Sequence, residues 1–417
     1  MKKALLLSMI ASTMIMAGGD IAPVESAAVT PAPVAESGWK FSGQAVGYYQ
    51  ALGLDIANVD LFDQELASAN AGLQLTATND NLIGGVGFGV QLNGLGTLGL
   101  EEDVVAYPMQ QGNSLNSAYI SQLYLTYGIG NTSLKVGRQE LPKALSPFAF
   151  SEDWNVFKNT FDAALVVNND IPNTTVALAW VKRANYNDSA VMADNYNGFS
   201  GITGMNEFNS INDNDGAFML TAQNKSIDNV ILTGSYYNVS TNTNGDYILW
   251  ADAQINVGNL NIGLQGGKAE EGANAYGAKV ATTISDVNLA LAYSNVGGHG
   301  GFKQLGGTTS PLYTDMAGDQ LLGSYDLRYA TSSKDAKKWM ISANKDIFGG
   351  NLSAAYGMID AYYADSYKEF DIAYSKNISD NLNLSAAYVH ADADYLDGFP
   401  TNNPTIDVVR VIGRYNF

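Results

Sequence analysis

The chain has 417 residues, a net charge of -19 and no cysteine. An acid excess this large argues against a nucleic-acid partner, because binding phosphates needs lysine and arginine in surplus. The length would suit about two or three soluble domains, yet glycine, asparagine, alanine and leucine recur evenly from residue 40 to the end, which argues against a partition.

Residues 1–17, MKKALLLSMIASTMIMA, place Lys2 and Lys3 ahead of an apolar run that ends at small residues, the pattern of a secretory signal peptide. The run is too short to cross a bilayer as a helix, and no later segment offers about twenty uninterrupted apolar residues. Residues 18–38 are rich in Pro and Ala and read as an extended periplasmic tether.

From residue 39 onward the side chains alternate with period two. Trp39, Phe41, Ala45 and Tyr49 alternate with Lys40, Ser42, Gln44 and Gln50. After a loop over 51–68, Leu73 and Leu75 alternate with Gln74 and Thr76. Val86, Phe88, Val90 and Leu92 follow a short Asn-Asp-Asn turn. A second loop over 94–116 precedes a hairpin, in which Leu123, Leu125 and Tyr127 share a face with Leu134 and Val136. Further along, Ala163, Leu165 and Val167 alternate with Asp162 and Asn168, and Val176, Leu178 and Trp180 with Thr175, Ala179 and Arg183; the pattern returns in 216–224, 229–238, 246–257, 259–268, 274–284 and 286–295. It closes with 337–346, 351–361, 367–376, 381–391 and 404–417. Residues 319–330 could form one more strand and are assigned to a loop, because counting them makes the total odd.

The last strand, TIDVVRVIGRYNF, puts Val409, Val411, Gly413, Tyr415 and Phe417 on one face and Arg410, Arg414 and Asn416 on the other. Tight turns alternate with long polar loops, and aromatic residues such as Trp39, Tyr49, Tyr127, Tyr293 and Tyr415 gather at strand ends, as at the two interfaces of a bilayer. A soluble β-sandwich also alternates, but it would fill one core with its apolar face. The expectation is an all-β fold, a transmembrane antiparallel β-barrel of about eighteen strands spanning 39–417, with sixteen the alternative count. Such a barrel belongs in the outer membrane of a Gram-negative cell. Its lipid and lipopolysaccharide are expected partners, as is the barrel-assembly machinery, for which Tyr415 and Phe417 resemble the C-terminal signal.

The stretch 140–159 is compact and aromatic where a solvated loop would be polar. Folded inward, it would narrow the bore, with Glu140, Lys143, Phe148, Phe150, Glu152, Asp153 and Lys158 at the constriction. Lys135, Arg183, Arg410 and Arg414 fall on the inward parity of their strands. Acids on a loop facing bases on a wall set a transverse field that screens solutes by charge, and a mild preference for cations is expected.

The run VGRQELP, then DWN, then NTFDAALVVNNDIPNTTVALAWV, with the WKFSG opening strand and the RYNF end, resembles the epsilonproteobacterial outer-membrane porins, including the Campylobacter major outer membrane porin. That resemblance implies a trimeric 18-stranded diffusion channel and raises a calcium ion in the pore. No matching triad of acids is visible here, so Glu152 and Asp153 are the metal candidates, and no cofactor is required. Gly94 to Gly99 copies a dinucleotide-binding spacing without the helix that gives it meaning. His299 and His390 are the two histidines, and neither has a serine or second acid placed beside it by the sequence, so no enzyme is expected. The alternatives kept open are a substrate-selective channel, argued against by the scattered inward Tyr48, Tyr124 and Trp250, and an adhesin-like barrel that conducts nothing.

Overall fold

A computed structural model describes residues 38–108, 116–152, 156–185, 205–240, 246–270, 272–298, 302, 305–306, 310–318, 335–361, 364–392, 394–396 and 404–417. The leader, the tether up to residue 37, the stretch 319–330, Asp153 and His299 lie outside the described residues.

The strands are β1 (Lys40–Leu54), β2 (Ala67–Ile83), β3 (Val86–Gly96), β4 (Tyr107–Pro108), β5 (Asn116–Ile129), β6 (Thr132–Gln139) and β7 (Phe161–Asn168). Next come β8 (Thr174–Ala184), β9 (Asn209–Ser210), β10 (Ala217–Asn224), β11 (Val230–Asn238), β12 (Tyr247–Val257), β13 (Leu260–Ala269) and β14 (Asn274–Ile284). The last are β15 (Val287–Gly297), β16 (Ala336–Ile347), β17 (Gly350–Ala361), β18 (Ala364–Asn377), β19 (Leu382–Asp392), β20 (Tyr395–Leu396) and β21 (Thr405–Asn416). The two-residue β4, β9 and β20 are appendages on the ends of β2, β8 and β18. The others are the staves of a closed antiparallel barrel of 18 strands.

Closure leaves no stave with an unpaired edge. Strand β1 pairs with β21 from Gln44↔Asn416 to Leu54↔Ile406. Past the last rung, Gly43 donates to the Phe417 carbonyl at 2.8 Å and Phe417 donates back to the Gly43 carbonyl at 3.0 Å. Gly43 is required there, because a Cβ would come within 2.6 Å of the Phe417 ring.

Both ends of the barrel follow from local chemistry. At one rim the connections are turns of a few residues. Gly84 and Gly85 (φ 58 and 85) join β2 to β3, and Phe348 and Gly349 (φ 55 and 75) join β16 to β17. Positive φ at both central positions matches the right-handed twist of the paired strands. The chain enters and leaves at this turn rim; the opposite loop rim carries the long connections.

Alternation divides the wall as the sequence predicts. Leu73, Leu75, Leu92, Leu123, Leu125, Leu178 and Leu291 point outward and are exposed. Their neighbours Gln50, Asn93, Gln91, Gln223 and Gln265 point inward and are buried. Aromatic side chains form an outward belt from β8 to β19, through Trp180, Phe218, Tyr236, Tyr276, Tyr293, Trp339, Tyr356, Phe370 and Tyr388. The main apolar cluster also lies inside the barrel, where Leu141, Phe148, Phe157, Phe302 and Leu312 of the loops meet Val46, Leu52, Leu95 and Trp250 of the wall.

A two-loop constriction in the barrel bore

Strand β6 ends where Leu141 and Pro142 turn the chain inward, and the described residues of 140–160 lie across the bore before β7 begins. Phe148 anchors it on the far wall. Its ring centroid lies 5.2 Å from Trp250 and 5.5 Å from Tyr237, both edge-on, and its amide donates to the Tyr237 hydroxyl at 3.2 Å. The return limb meets the wall beside the closing strand. The Phe157 ring lies over Gly72, where a Cβ would sit 2.8 Å from the ring, and Arg414 Nη1 donates to the Val156 carbonyl at 2.8 Å.

A second inward segment, formed by the described residues of 302–318, had no counterpart among the sequence expectations. The Phe302 ring stacks on Phe148 at 5.7 Å, and the Leu305 amide donates to the Phe148 carbonyl at 3.0 Å. Asn159 Nδ2 donates to the Gly306 carbonyl at 2.8 Å, and Lys143 Nζ donates to the Ser310 carbonyl at 3.0 Å and stands 4.0 Å from Asp315. The segment then follows the inner wall. Tyr313 lies across Gly263 and donates to Asp252, under the Lys279 ammonium, which stands 4.8 Å from the ring centroid. Burial first, and then the Asp252 carboxylate, push the Tyr313 hydroxyl up in pKa, so it stays a donor. Thr314 bonds Ser294 at 2.7 Å, Met316 fills the notch at Gly357, and the amides of Ala317 and Gly318 donate to Asp371 and Glu369 at 3.2 and 2.6 Å. Inward glycines on the wall are thus the seats into which loop side chains fit, a signal that sequence spacing alone does not reveal.

A run of side-chain hydrogen bonds begins and ends on the first loop. Arg414 Nη1, besides holding Val156, donates to Gln44 Oε1 at 3.3 Å. Gln44 donates to Gln74 at 2.8 Å, and Gln74 to Asn93 at 2.9 Å. Ser121 bridges Asn93 and Gln91 at 3.2 and 2.7 Å, and Gln122 donates to both Gln91 and Glu140 at 3.2 and 2.9 Å. Glu140 then faces Lys158 Nζ at 3.6 Å. Ser121 and Gln122 both reach inward because the register slips between Gln91 and Leu92.

The expected site residues separate accordingly. Glu140, Lys143 and Lys158 remain partly open to the bore, while Phe148 and Phe150 are buried within the two-loop assembly. Glu152 is 8 % exposed, its amide bound to Asn159 Oδ1 at 2.7 Å, so it is folded into the loop rather than displayed. Lys135 stands over the Tyr124 ring at 3.8 Å, and Arg410 is buried between Gln50 Oε1 and the Tyr48 ring. Tyr48, Tyr124 and Trp250, scattered by parity, each hold a neighbour. Arg183 corrects its expectation. The register breaks between Asp162 and Ala163, so Arg183 shares the outward face with its cross-strand partner Asp162, at 2.9 Å. Arg138 binds the same carboxylate from the other side at 2.8 Å.

Among the described residues no group of three or more carboxylate or imidazole side chains is gathered to hold a metal ion. Of the two metal candidates, Glu152 is folded into the loop and Asp153 lies outside the described residues. His390 accompanies Asp407 at 2.8 Å on the outward face, away from the bore. The glycine run reaches only a three-residue turn, Leu100–Glu102, which offers no helix N-terminus.

No protein-family model and no curated protein matches the chain. Solved structures do. Pseudomonas aeruginosa OccK8 (OprE) shares 16% identity over 91% of this chain and 98% of its own, with a TM-score of 0.66. Pseudomonas aeruginosa OpdK with vanillate gives 14% identity, 90% and 98% coverage and a TM-score of 0.67. Acinetobacter baumannii OccAB2 gives 14%, 90% and 98%, and 0.66. The epsilonproteobacterial resemblance is carried by the sequence motifs alone. The chain has the fold of these barrels.

Proposed function

We propose that the protein is an outer-membrane channel that lets small hydrophilic solutes diffuse through a bore narrowed by two loops. The carrying observation is one wall with two characters: an apolar, exposed outer face, and an inner face lined by linked amide and charged side chains behind inward-folded loops. A barrel of this strand number leaves room for water inside. The barrel neighbours, one of them described as the outer membrane protein OpdK, support the location. The same observations favour transport over catalysis.

The preference for cations expected from the loop acids rests on less than the sequence suggested. Glu152 is folded away, Glu140 faces Lys158 and Asp315 stands beside Lys143, so the described loop acids and bases offset one another and selectivity by charge is weak. A second reading, a substrate-selective channel, is favoured by the second loop and by the vanillate in the related OpdK structure. Single-channel recording in planar bilayers separates the readings. Discrete steps with a reversal potential near zero in a salt gradient support the general channel, and steps blocked by micromolar vanillate support the selective one. A folded, inserted protein that never conducts would leave the adhesin-like barrel.

A further inference from the structure

The register break that turns Arg183 outward also gathers cations on the lipid side of the wall, at the level where hydrocarbon ends. Arg138, Asp162 and Arg183 stand side by side on β6, β7 and β8. One outward position nearer the turn rim, Trp180 pairs with Phe218, and the two rings stack at 6.3 Å. Large aromatic side chains on an outward face settle at the boundary between acyl chains and headgroups. The charges lie just beyond that boundary, on the side of the long loops, so they face the headgroups of the outer leaflet.

The three cations are held in different ways. Arg138 is tied down: Nε meets Asp162 at 2.8 Å, Nη1 donates to the Ile120 carbonyl at 2.9 Å, and the Phe208 ring centroid lies 3.3 Å from the guanidinium carbon. Arg183 reaches the same carboxylate through Nε at 2.9 Å, and its side chain stays half exposed. Lys182, which the break leaves without a rung to β7, holds its ammonium 5.8 Å from the Trp180 ring centroid. Among the described residues Asp162 is the acid paired with this group. Lys337 and Lys368, two other outward lysines near the loop rim, each stand opposite an acid of the next strand, Asp360 and Asp392. At β6 to β8 the cations outnumber the acid they share.

We infer that this group is a binding site for the phosphate of an outer-leaflet glycolipid. Arg183 and Lys182 are the donors, Arg138 fixes the Asp162 carboxylate that orients Arg183, and the Trp180 and Phe218 rings lie against the acyl chains below. The fork of a guanidinium matches phosphate oxygens two at a time, and a lysine adds a point charge. Beside a low-dielectric hydrocarbon layer the same charges attract a phosphate more strongly than in open water. Basic pockets at this depth hold lipid headgroups for that reason. The inference rests on the reading of the chain as an outer-membrane channel, and conductance of the same preparation tests that reading separately.

The full-length protein, extracted in mild detergent and shown to be folded by heat-modifiable gel mobility, is titrated with diphosphoryl lipid A, with the dephosphorylated lipid and with inorganic phosphate. Bound lipid is counted by native mass spectrometry. Diphosphoryl lipid A is expected to bind saturably and severalfold more tightly than the dephosphorylated form, with inorganic phosphate competing only at far higher concentration. Lys182→Glu combined with Arg183→Glu should abolish that preference. Lys345→Glu, an equal charge change at an exposed position of β16 beside the turn rim, should preserve it. Asp162→Asn removes the competing acid and should tighten binding, which a merely structural ion pair would not do. Equal affinity for the two lipids, an unchanged preference in the double variant, its loss in Lys345→Glu, or weaker binding in folded Asp162→Asn would overturn the inference. So would displacement of lipid A by inorganic phosphate at equal concentration, the mark of a site for any anion.

Discussion

The guanidinium of Arg414 donates to the carbonyl of Val156 at 2.8 Å, across 258 residues of sequence. The strand that closes the barrel therefore also holds the loop that narrows it, so closing the ring and setting the bore are coupled through one side chain. Hydrogen bonds with a charged donor contribute about 1.5–3 kcal/mol. In Arg414→Met the return limb of the loop is released while Phe148 stays seated. Current traces should show more frequent transitions between sublevels. A trace as quiet as that of the wild type would mean that the limb is held without this contact.

Phe148 touches both the wall and the second loop. Phe148→Ala should cost about 3–5 kcal/mol at the anchor and loosen both loops together. Single-channel conductance should rise by a large part of the increase produced by excising 144–156. If the substitution leaves conductance unchanged while excision raises it, the anchor lies elsewhere.

The glycine seats make a steric prediction. A side chain at Gly263 collides with the Tyr313 ring, and one at Gly357 with Met316 Sδ, 2.4 Å from the Cβ position. Gly263→Val and Gly357→Val should lift 302–318 from the wall and expose it to protease added from the loop side, with the barrel intact by circular dichroism. Protection equal to the wild type would show that the segment is not seated there.

Removing the acid that faces Lys158 should change the bore's charge balance. In Glu140→Gln the reversal potential in a salt gradient should move toward anion preference, because the negative charge beside Lys158 is lost. A shift toward cations, or none, would place Glu140 outside the path of the ions.

Trimming Phe417 removes both rungs to Gly43 and the ring that covers it. Outer-membrane abundance should fall and the unfolded form should accumulate, as read by heat-modifiable mobility. Normal abundance would separate the terminal residue from closure.

The staves were legible because a barrel wall repeats one instruction: Leu73, Leu75 and Leu92 outward, Gln74, Gln91 and Asn93 inward. The first loop was legible because Phe148, Phe150 and Phe157 are too apolar for a solvated connection. What period two could not show was a break in the period. The slip at Asp162/Ala163 turned Arg183 outward, and the slip at Gln91/Leu92 brought Ser121 and Gln122 to the same side. The second loop was hidden for another reason. Its anchors, Tyr313 and Met316, mean little until the inward glycines that receive them are placed opposite.

The most direct measurement of the central claim is single-channel conductance for the wild type, for the excision of 144–156, and for that excision combined with Gly357→Val. Two loops seated in one aqueous bore predict discrete steps that grow from the first protein to the second and again to the third. A barrel that inserts without conducting, or steps of one size in all three, would contradict it.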